Sequence, residues 1–331
     1  MNIIVDAFGG DNAPLAVIEG SAMAVRELGV KVTLTGNEKI IRDTAESHNI
    51  SLENIDILHS DSVIDIHEEP TEIIKSRADC SMAVGLRQLH EGSGDAFVSA
   101  GSTGALVVGA TFIAKRLKGI KRPALAPIMP SDKGYFMLMD AGANVDCRPE
   151  MLVQFAIMGS AYMENVINVK NPKVGLVNVG AEETKGRDIE HEAYIKLSQC
   201  GVNFKGNAEA REIPDGNFDV IVTDGFTGNV VLKLYEGMGS YFGRTLKGML
   251  KSSFISKIAG LLILDKVNAF KKKMDYSEVG GAVLMGISKP VIKAHGSSDA
   301  KAFFNAIRQA KQCVDGKVID KITDSLAVLK E

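Results

Sequence analysis

Short runs of apolar, largely β-branched residues alternate with longer segments of helical period through most of the chain. The apolar runs contain few polar positions, which is typical of strands buried on both faces in parallel or mixed sheets. They are NIIVD (2–6), KVTLT (31–35), IDIL (55–58), AFVSA (96–100), LAPIM (125–129), YFMLMD (135–140), VGLVNV (174–179) and DVIVTD (219–224). Helical segments lie at 14–28, 102–117, 149–166, 226–250, 299–314 and 317–330. This alternation predicts a three-layer α/β fold, with a sheet sandwiched between helices.

The rhythm changes after residue 225. From Phe226 to about Phe270 the chain has the pattern of consecutive helices with no strand between them. No low-complexity linker or internal repeat interrupts the sequence, so we expect a single α/β domain over residues 1–331. The helical excursion at about 226–275 would then serve as a dimer contact, a lid or a membrane contact.

Charge and cysteine content narrow the classes of protein. The 331 residues include 38 basic and 41 acidic ones, a net charge of −3, which argues against a nucleic-acid-binding protein. The four cysteines lie far apart and form no C-x-x-C pair, so neither a zinc site nor a disulfide framework is expected, and a reduced cytoplasm fits best. No apolar run approaches the roughly 18 to 20 residues that span a bilayer. We expect a soluble protein that can still touch a membrane surface.

Two polar, glycine-containing segments follow predicted strands in the N-terminal part of the chain. Ligands gather at the carboxyl ends of strands in open α/β sheets, so both segments are candidate binding loops. The first, DAFGGDNAP (6–14), contributes two acids and two glycines: Asp6, Asp11, Gly9 and Gly10. The second, SAGSTGA (99–105), contributes glycines and hydroxyls: Gly101, Ser102, Thr103 and Gly104. Such a turn before a helix is typical of an anion site, although a tight strand-to-helix turn explains each glycine pair equally well.

Two further segments of this kind follow later strands. NVGAEETKGRD (178–188) offers Lys185 and Arg187 to an anion, although Lys185 could equally be a solvated surface lysine. TDGFTGN (223–229) places Asp224, Thr227 and Asn229 at the start of the long helix, where the first two are also common N-cap residues. The convergence of four such loops on one predicted sheet edge favours a binding site. The loop AHGSSDAK (294–301) adds His295, which could also be an ordinary loop histidine.

Several familiar motifs are missing from the sequence. It contains no G-x-x-x-x-G-K-[ST] loop and no G-x-G-x-x-G after a strand, so nucleotide binding has no support. It also contains no H-E-x-x-H pair, no clustered metal ligands and no G-x-S-x-G nucleophile elbow. We therefore expect a phosphate site that uses no metal, nucleotide or other cofactor.

The stretch SSFISKIAGLLILDKVNAFKKK (252–273) predicts an amphipathic helix. Phe254, Ile258 and Leu262 recur at i, i+4 spacing, lysines flank that apolar face, and the run ends in three lysines at 271–273. This pattern suits a helix on an anionic membrane or against an acidic protein. A core or dimer-interface helix with a solvated basic end fits the same periodicity equally well.

Together, DAFGGDNAP, SAGSTGA, NVGAEETKG and VTDGFTGNVVLK resemble the motif set of the bacterial phosphate acyltransferases of phospholipid synthesis, the acyl-acyl-carrier-protein:phosphate acyltransferases. The resemblance extends from Met1 to the C-terminal helices, and Phe8 stands where the family's first motif usually has Met. It implies a Rossmann-like sandwich of the isocitrate and isopropylmalate dehydrogenase type, also similar to phosphotransacetylases. It further implies that inorganic phosphate attacks the thioester of a long-chain acyl carrier protein, giving acyl phosphate and free carrier.

The resemblance also implies partners and a location. The enzyme would be a homodimer in the cytoplasm, peripherally bound to the inner face of the cell membrane. There it would hand acyl phosphate to an integral-membrane glycerol-3-phosphate acyltransferase. Phe254, Ile258 and Leu262 would contact lipid, and the nearby lysines would dock the membrane or the acidic carrier protein.

Residue roles follow from the same resemblance and are hypotheses. Lys185 would offset the charge of phosphate, Asn229 would donate to the phosphate or the thioester oxygen, and Asp224 would orient Lys185 or a protonated phosphate oxygen. The other expected residues of the phosphate and substrate site are Asp6, Gly9, Gly10, Ser102, Thr103, Gly104, Thr227 and His295.

Three alternatives remain at this point. A phosphotransacetylase acting on a short acyl-CoA shares the phosphate chemistry, although the long apolar excursion favours a long chain. A nicotinamide-dependent decarboxylating dehydrogenase would need clustered metal-binding aspartates and a cofactor loop, neither of which is recognisable. A membrane-associated scaffold would leave the four loops unexplained.

Overall fold

The computed structural model describes residues 1–267 and 280–328 and shows a mixed α/β protein. Twelve strands are described: β1 (Asn2–Asp6), β2 (Lys31–Gly36), β3 (Ile55–His59), β4 (Ala96–Ser99), β5 (Ala124–Ala126), β6 (Ile128–Ser131), β7 (Gly134–Met139), β8 (Lys173–Asn178), β9 (Asn203–Glu209), β10 (Val220–Val222), β11 (Ala282–Met285) and β12 (Val291–Lys293). The described α-helices are α1 (Leu15–Leu28), α2 (Glu38–Ser47), α3 (Ser81–Glu91), α4 (Thr103–Gly109), α5 (Pro149–Asn165), α6 (Asp188–Gln199), α7 (Gly225–Lys251), α8 (Phe254–Leu262), α9 (Ala300–Asp315) and α10 (Val318–Val328).

The strands form two sheets, so the expectation of one sheet edge was wrong. The seven-stranded sheet has the order β3-β2-β1-β4-β12-β11-β5, and the five-stranded sheet has the order β6-β7-β10-β8-β9. The chain passes from one sheet to the other within the run LAPIM. Pro127 separates β5 from β6, and a proline has no N–H to continue a ladder, so a single predicted strand becomes two strands in different sheets.

Parallel pairing brings the carboxyl ends of neighbouring strands together. In the seven-stranded sheet β1, β4 and β12 are parallel neighbours, and Lys293 of β12 is level with Ser99 of β4. In the five-stranded sheet β7, β10 and β8 are parallel neighbours, and Val222 is level with Met139 on one side and Leu176 on the other. The loops that follow these six strands therefore lie at two sheet edges.

Helices cover both faces of each sheet. Alternate residues of β1 enter different apolar clusters, because successive side chains of a strand point to opposite faces. Ile3 and Val5 pack with α1 and α9, whereas Ile4 packs with α3 and α4. The first of these clusters continues under α5 and into the five-stranded sheet, and a third cluster packs the other face of that sheet against α7. The single-domain expectation stays a prediction.

Most of the predicted segments are present, whereas helices α2, α3 and α6 and strands β9, β11 and β12 were not predicted. The predicted helix at 102–117 is α4 followed by a π-helical turn (Ala110–Lys115). Strand β9, NFKGNAE, is a polar edge strand, and β12 has only three residues. Neither one has the long apolar run that identifies a buried strand.

The predicted helical excursion begins as expected with α7 and α8. Residues 268–279, which include the predicted lysines at 271–273, lie outside the described residues. Within the described part of the chain, no helix has the length and apolar content needed to cross a membrane.

Candidate active site

Residues that follow strands of both sheets line one cleft of about 580 Å³. The seven-stranded sheet contributes the turn after β4 and the end of β12, and the five-stranded sheet contributes the turn after β7 and the start of α7. The polar or backbone lining includes Thr103, Gly104, Gly142, Asn229, Lys233, Glu236, Lys293 and His295. The apolar lining includes Val107, Val108, Leu125, Pro127, Ile128, Met129 and Leu232. A cleft of this size and mixed lining is typical of a small-molecule site.

Asp6 holds the first two predicted loops together. Its buried carboxylate accepts hydrogen bonds from the hydroxyls of Ser81 and Ser99, each at 2.7 Å, and from the backbone N–H of Phe8. Burial raises the pKa of Asp6, although these hydrogen bonds oppose the shift. A Cβ on Gly9 would lie 2.6 Å from the backbone nitrogen of Gly101, so only glycine allows this approach. The two loops are therefore packed directly on each other.

The loop after β12 joins the same assembly. The backbone N–H of Asp11 donates to the carbonyl of Gly296 at 2.8 Å, and Gly10 has a φ of +99°, which favours glycine. Thr103, Gly104 and His295 line the cleft, and His295 is exposed there. These contacts place three sequence-distant loops around one end of the seven-stranded sheet.

Ser102 and Gly104 also have local structural roles. The Ser102 hydroxyl oxygen accepts a hydrogen bond from the backbone N–H of Ala105 and caps α4. A Cβ on Gly104 would lie 2.7 Å from Cγ of Pro70. The turn interpretation of these residues is thus correct, and Thr103 and Gly104 contact the cleft as well.

Lys293 places an ammonium group at the cleft. Its Nζ donates to the carbonyl oxygens of Ala100 at 3.2 Å and of Ala294 at 2.5 Å. Burial lowers the pKa of Lys293 to about 8, while the carboxylates of Asp11 and Asp6 oppose that shift. This lysine belongs to none of the predicted loop motifs.

Asp140 organises the turn after β7. Its fully buried carboxylate accepts hydrogen bonds from four backbone N–H groups and one side-chain amide, at 2.7 to 3.1 Å: Leu125, Gly142, Ala143 and Asn144 through the backbone, and Asn144 through Nδ2. Burial raises the pKa of Asp140, and the donors oppose the shift. The carboxylate thus fixes the backbone of residues 141–143, which line the cleft.

Asn229 lies near the start of α7, against this fixed backbone. Its Nδ2 donates to the carbonyl of Ala141 at 3.2 Å, and a Cβ on Gly142 would lie 2.7 Å from the same nitrogen. An amide nitrogen carries two hydrogens, so the second one is available to a ligand in the cleft. The expected donor is therefore held at the cleft in a defined position.

Asp224 forms an ion pair with Arg187, whereas the sequence interpretation expected it to orient Lys185 or a protonated phosphate oxygen. Asp224 caps α7 by accepting from the backbone and the hydroxyl of Thr227, and Arg187 donates to it at 2.8 Å. Lys185 is exposed and lies outside the lining of the cleft. The expected contact between Asp224 and Lys185 is thus replaced by one with Arg187, because Arg187 opens α6 beside the end of β10.

Comparisons with known proteins identify the family. A family model described as "Fatty acid synthesis protein" matches residues 1–321. A phosphate acyltransferase of Clostridium botulinum (strain Langeland) is 48% identical, with 100% of this chain and 99% of the relative covered. One of Alkaliphilus oremlandii is 46% identical, with 99% and 98% covered. The chain belongs to the phosphate acyltransferase family.

The resemblance found in the four loops is thereby confirmed, and the protein is an acyltransferase. Solved structures agree on the fold. A phosphotransacetylase from Streptococcus pyogenes superposes with a TM-score of 0.68 at 17% identity, covering 95% of this chain and 94% of that one. A 4-hydroxythreonine-4-phosphate dehydrogenase from Klebsiella pneumoniae gives 0.54 at 11% identity, covering 95% and 99%. At such identities the likeness shows the fold alone.

The sequence interpretation did not include two residues found at the site of this phosphate acyltransferase, Asp140 and Lys293. Only Asp140 belongs to a sequence pattern that could have identified it. Asp140 follows a buried strand and precedes a small-residue turn, DAGAN, as Asp6 precedes DAFGG and Asp224 precedes DGFTG. An aspartate at the carboxyl end of each of three strands is thus a pattern that could have identified Asp140. Lys293 left no such signal, because a lysine ending a three-residue strand resembles any surface lysine.

The expected membrane residues lie away from the cleft on α8. Phe254 and Leu262 are 78% and 82% exposed, and Ile258 is 46% exposed. Ile255 and Leu261 are exposed to a similar extent on the same short helix. Every residue of α8 is at least partly exposed in the monomer, so the helix does not serve as a core element of the described chain.

Proposed function

We propose that this chain transfers the acyl group of a long-chain acyl-acyl carrier protein to inorganic phosphate, feeding glycerol-3-phosphate acylation. The observation that carries the proposal is the cleft, which combines hydrogen-bond donors and a lysine with a wall of apolar side chains. Phosphate needs donors and positive charge, whereas the acyl chain needs apolar surface. Membership of the phosphate acyltransferase family supports the same reaction.

The chemistry requires one bond to form and one to break. A phosphate oxygen attacks the thioester carbonyl carbon, and the carbonyl oxygen becomes an oxyanion. The C–S bond then breaks, and the proton of hydrogen phosphate ends on the departing thiol. Phosphate is already a competent nucleophile when desolvated and aligned, so the protein has to position it and stabilise the oxyanion. This reaction uses no metal, nucleotide or acyl-enzyme.

Asn229 is the proposed donor to the phosphate or the oxyanion. Its amide is held by the carbonyl of Ala141, and the buried Asp140 fixes that turn. A donor whose position is fixed before reaction costs no reorganisation in the transition state. Thr103 and the backbone at Gly104 would complete the cradle, with Ser102 holding the turn.

The remaining roles are assigned as follows. Asp224 would act through Arg187 and Thr227 to hold the start of α7, and thereby Asn229. Lys185, exposed on the loop after β8, would attract phosphate or the acidic carrier protein toward the cleft. Asp6, Gly9 and Gly10 would brace the loops, and His295 would border the entrance.

Partners and location follow from α8 and from the family. We propose that Phe254, Ile258 and Leu262 contact lipid, and that Lys251, Lys257 and Lys266 meet anionic headgroups or the carrier protein. A homodimer would cover part of the exposed apolar face of α7. Release of acyl phosphate at the inner face of the cell membrane would pass it to the glycerol-3-phosphate acyltransferase without exposing the chain to water. The fold would be of the isocitrate and isopropylmalate dehydrogenase type.

A phosphate-dependent discharge assay tests the proposal. Purified protein is incubated with acyl-acyl carrier proteins of several chain lengths or with acetyl-CoA, with and without phosphate. We expect free carrier thiol and acyl phosphate only when phosphate and a long-chain carrier are both present. Preferential use of acetyl-CoA would favour the phosphotransacetylase alternative, and no discharge of any donor would refute the proposal.

A further inference from the structure

Lys293 ends strand β12 directly beside the turn that follows β4. Its ammonium group donates to the carbonyls of Ala100 and Ala294, and its side chain lines the cleft together with Thr103 and Asn229. We propose that Lys293 is the cation that binds the phosphate nucleophile in the cleft. This inference rests on the proposed function and names a substrate-binding residue that none of the loop motifs contains.

The ammonium group keeps a donor for a ligand. A lysine has three N–H donors, and the two carbonyls take two of them. Lys293 forms no ion pair with any of the residues in 1–267 and 280–328. The nearby carboxylate of Asp6 is already satisfied by Ser81 and Ser99. The third N–H and the positive charge are therefore available to an anion.

Other basic side chains near the cleft are less suited to this role. Lys185 is exposed and lies outside the cleft lining. Arg187 is engaged with Glu190 and Asp224. Lys233 lines the cleft but is exposed on α7, where solvent screens its charge. A partly buried ammonium held by two carbonyls offers both a stronger field and a fixed direction.

The charge balance of the cleft points the same way. Phosphate brings one to two negative charges to a cleft whose lining includes the carboxyl group of Glu236, and Asp6 and Asp11 lie within electrostatic reach of Lys293. Like charges repel more strongly where water is excluded, so phosphate binding needs a compensating cation there. Lys293 supplies that cation and leaves Asn229 to act on the thioester oxygen.

The ionisation of Lys293 gives a measurable signature. Its lowered pKa of about 8 means that the free enzyme carries the ammonium charge at neutral pH and loses it above about pH 8. The value of kcat/KM for phosphate reports ionisations of the free enzyme, so it should fall as pH rises through that range. The other ionisable groups that face Lys293 or line the same cleft are Asp6, Asp11, Lys233, Glu236 and His295.

The first test uses Lys293→Met with Lys289→Met as a matched control. Lys289 precedes β12, and its ammonium donates to the carbonyl of Gly94 at 2.6 Å, away from the cleft lining. Rates are measured at saturating acyl-acyl carrier protein with phosphate varied. Loss of a charged hydrogen bond should lower kcat/KM for phosphate by roughly 10- to 100-fold in Lys293→Met, mainly through KM for phosphate. Lys289→Met should stay within about twofold of wild type.

The second test uses Lys293→Arg, which keeps a positive charge at every accessible pH. The decline of kcat/KM above about pH 8 should be present in wild type and absent in Lys293→Arg, while the ionisation of the substrate is common to both. An unchanged KM for phosphate in folded Lys293→Met, or the same decline in Lys293→Arg, overturns this inference alone. A wild-type protein that discharges no acyl donor at any phosphate concentration refutes the proposed function instead.

Discussion

At the two sheet edges polar side chains are buried, whereas along α7 and α8 large apolar side chains face solvent. The carboxylates of Asp6 and Asp140 are 2% and 0% exposed, and each has several hydrogen-bond donors. On α8, by contrast, Phe254 and Leu262 lie almost entirely in solvent. Both regions depart from the usual distribution of residues, in opposite directions.

The two departures have different physical meanings. A buried carboxylate is costly unless hydrogen bonds compensate it, so its retention indicates that the geometry it fixes is needed. Exposed apolar side chains cost the monomer little, but a contiguous group of them indicates a surface that something else covers. The buried carboxylates thus indicate that the geometry of the cleft is needed, whereas the exposed helical face indicates a membrane or another protein.

The largest effect is expected on membrane binding, from replacing Phe254, Ile258 and Leu262 by Glu together. Burying such side chains in the lipid interface contributes about 1.5 to 3 kcal/mol each, so the triple variant should lose at least about 4 kcal/mol of binding. Vesicles containing anionic lipid should then no longer carry the protein in a flotation gradient. The discharge activity on carrier protein in solution should change little, because the cleft is untouched.

The control replaces two exposed helical isoleucines elsewhere. Ile40 on α2 and Ile195 on α6 are 45% and 59% exposed, comparable to Ile258 at 46%. Changing both to Glu should leave flotation intact. Equal loss in the control would mean that added negative charge alone prevents binding, and undiminished flotation of the triple variant would rule out α8 as the membrane contact.

How much of the fold could be predicted from the sequence depends on whether a feature is decided locally or by long-range packing. Apolar runs identify buried strands and helices because burial is decided locally, so β1, β2, β7 and α7 have nearly the predicted bounds. Strand order is decided by long-range packing, and no local pattern contains it. The separation into two sheets was therefore missed, although the proline at which the chain changes sheets, Pro127 within LAPIM, is visible in the sequence.

The residues of the site likewise divide into those that could be predicted from the sequence and those that could not. The glycine-containing loops were predictable because close backbone approach restricts the residue type, as at Gly9 and Gly10. Lys293 was not predictable, since its importance depends on Ala100, which lies 193 residues away in the chain. The pairing of Asp224 with Arg187 rather than Lys185 likewise depends on how α6 begins.

The next largest effect is expected from Gly228→Ala, at the end of α7 that lies beside the cleft. A Cβ on Gly228 would lie 1.8 Å from the backbone carbonyl oxygen of Asp140, which cannot move without disturbing the turn that it supports. Gly228→Ala should therefore lower the free energy of unfolding by about 3 kcal/mol or more. A urea titration followed by circular dichroism would show a lower midpoint. A midpoint equal to that of wild type would mean that the start of α7 does not pack tightly against the turn at Asp140.

The smallest effect is expected from Gly237→Ala, nine residues further along the same helix. Gly237 is the control position for Gly228. Apart from its chain neighbours and the backbone of the helix itself, no atom of the described residues lies within 4 Å of a Cβ built there. Alanine in an exposed helix interior is more stable than glycine by about 0.5 to 1 kcal/mol, so Gly237→Ala should raise the urea midpoint slightly. A loss of stability would instead show that a partner packs closely against this face in solution. Comparing the midpoint at low and high protein concentration separates these cases, because a gain that belongs to the isolated helix is independent of concentration, whereas a clash at a contact between copies is not.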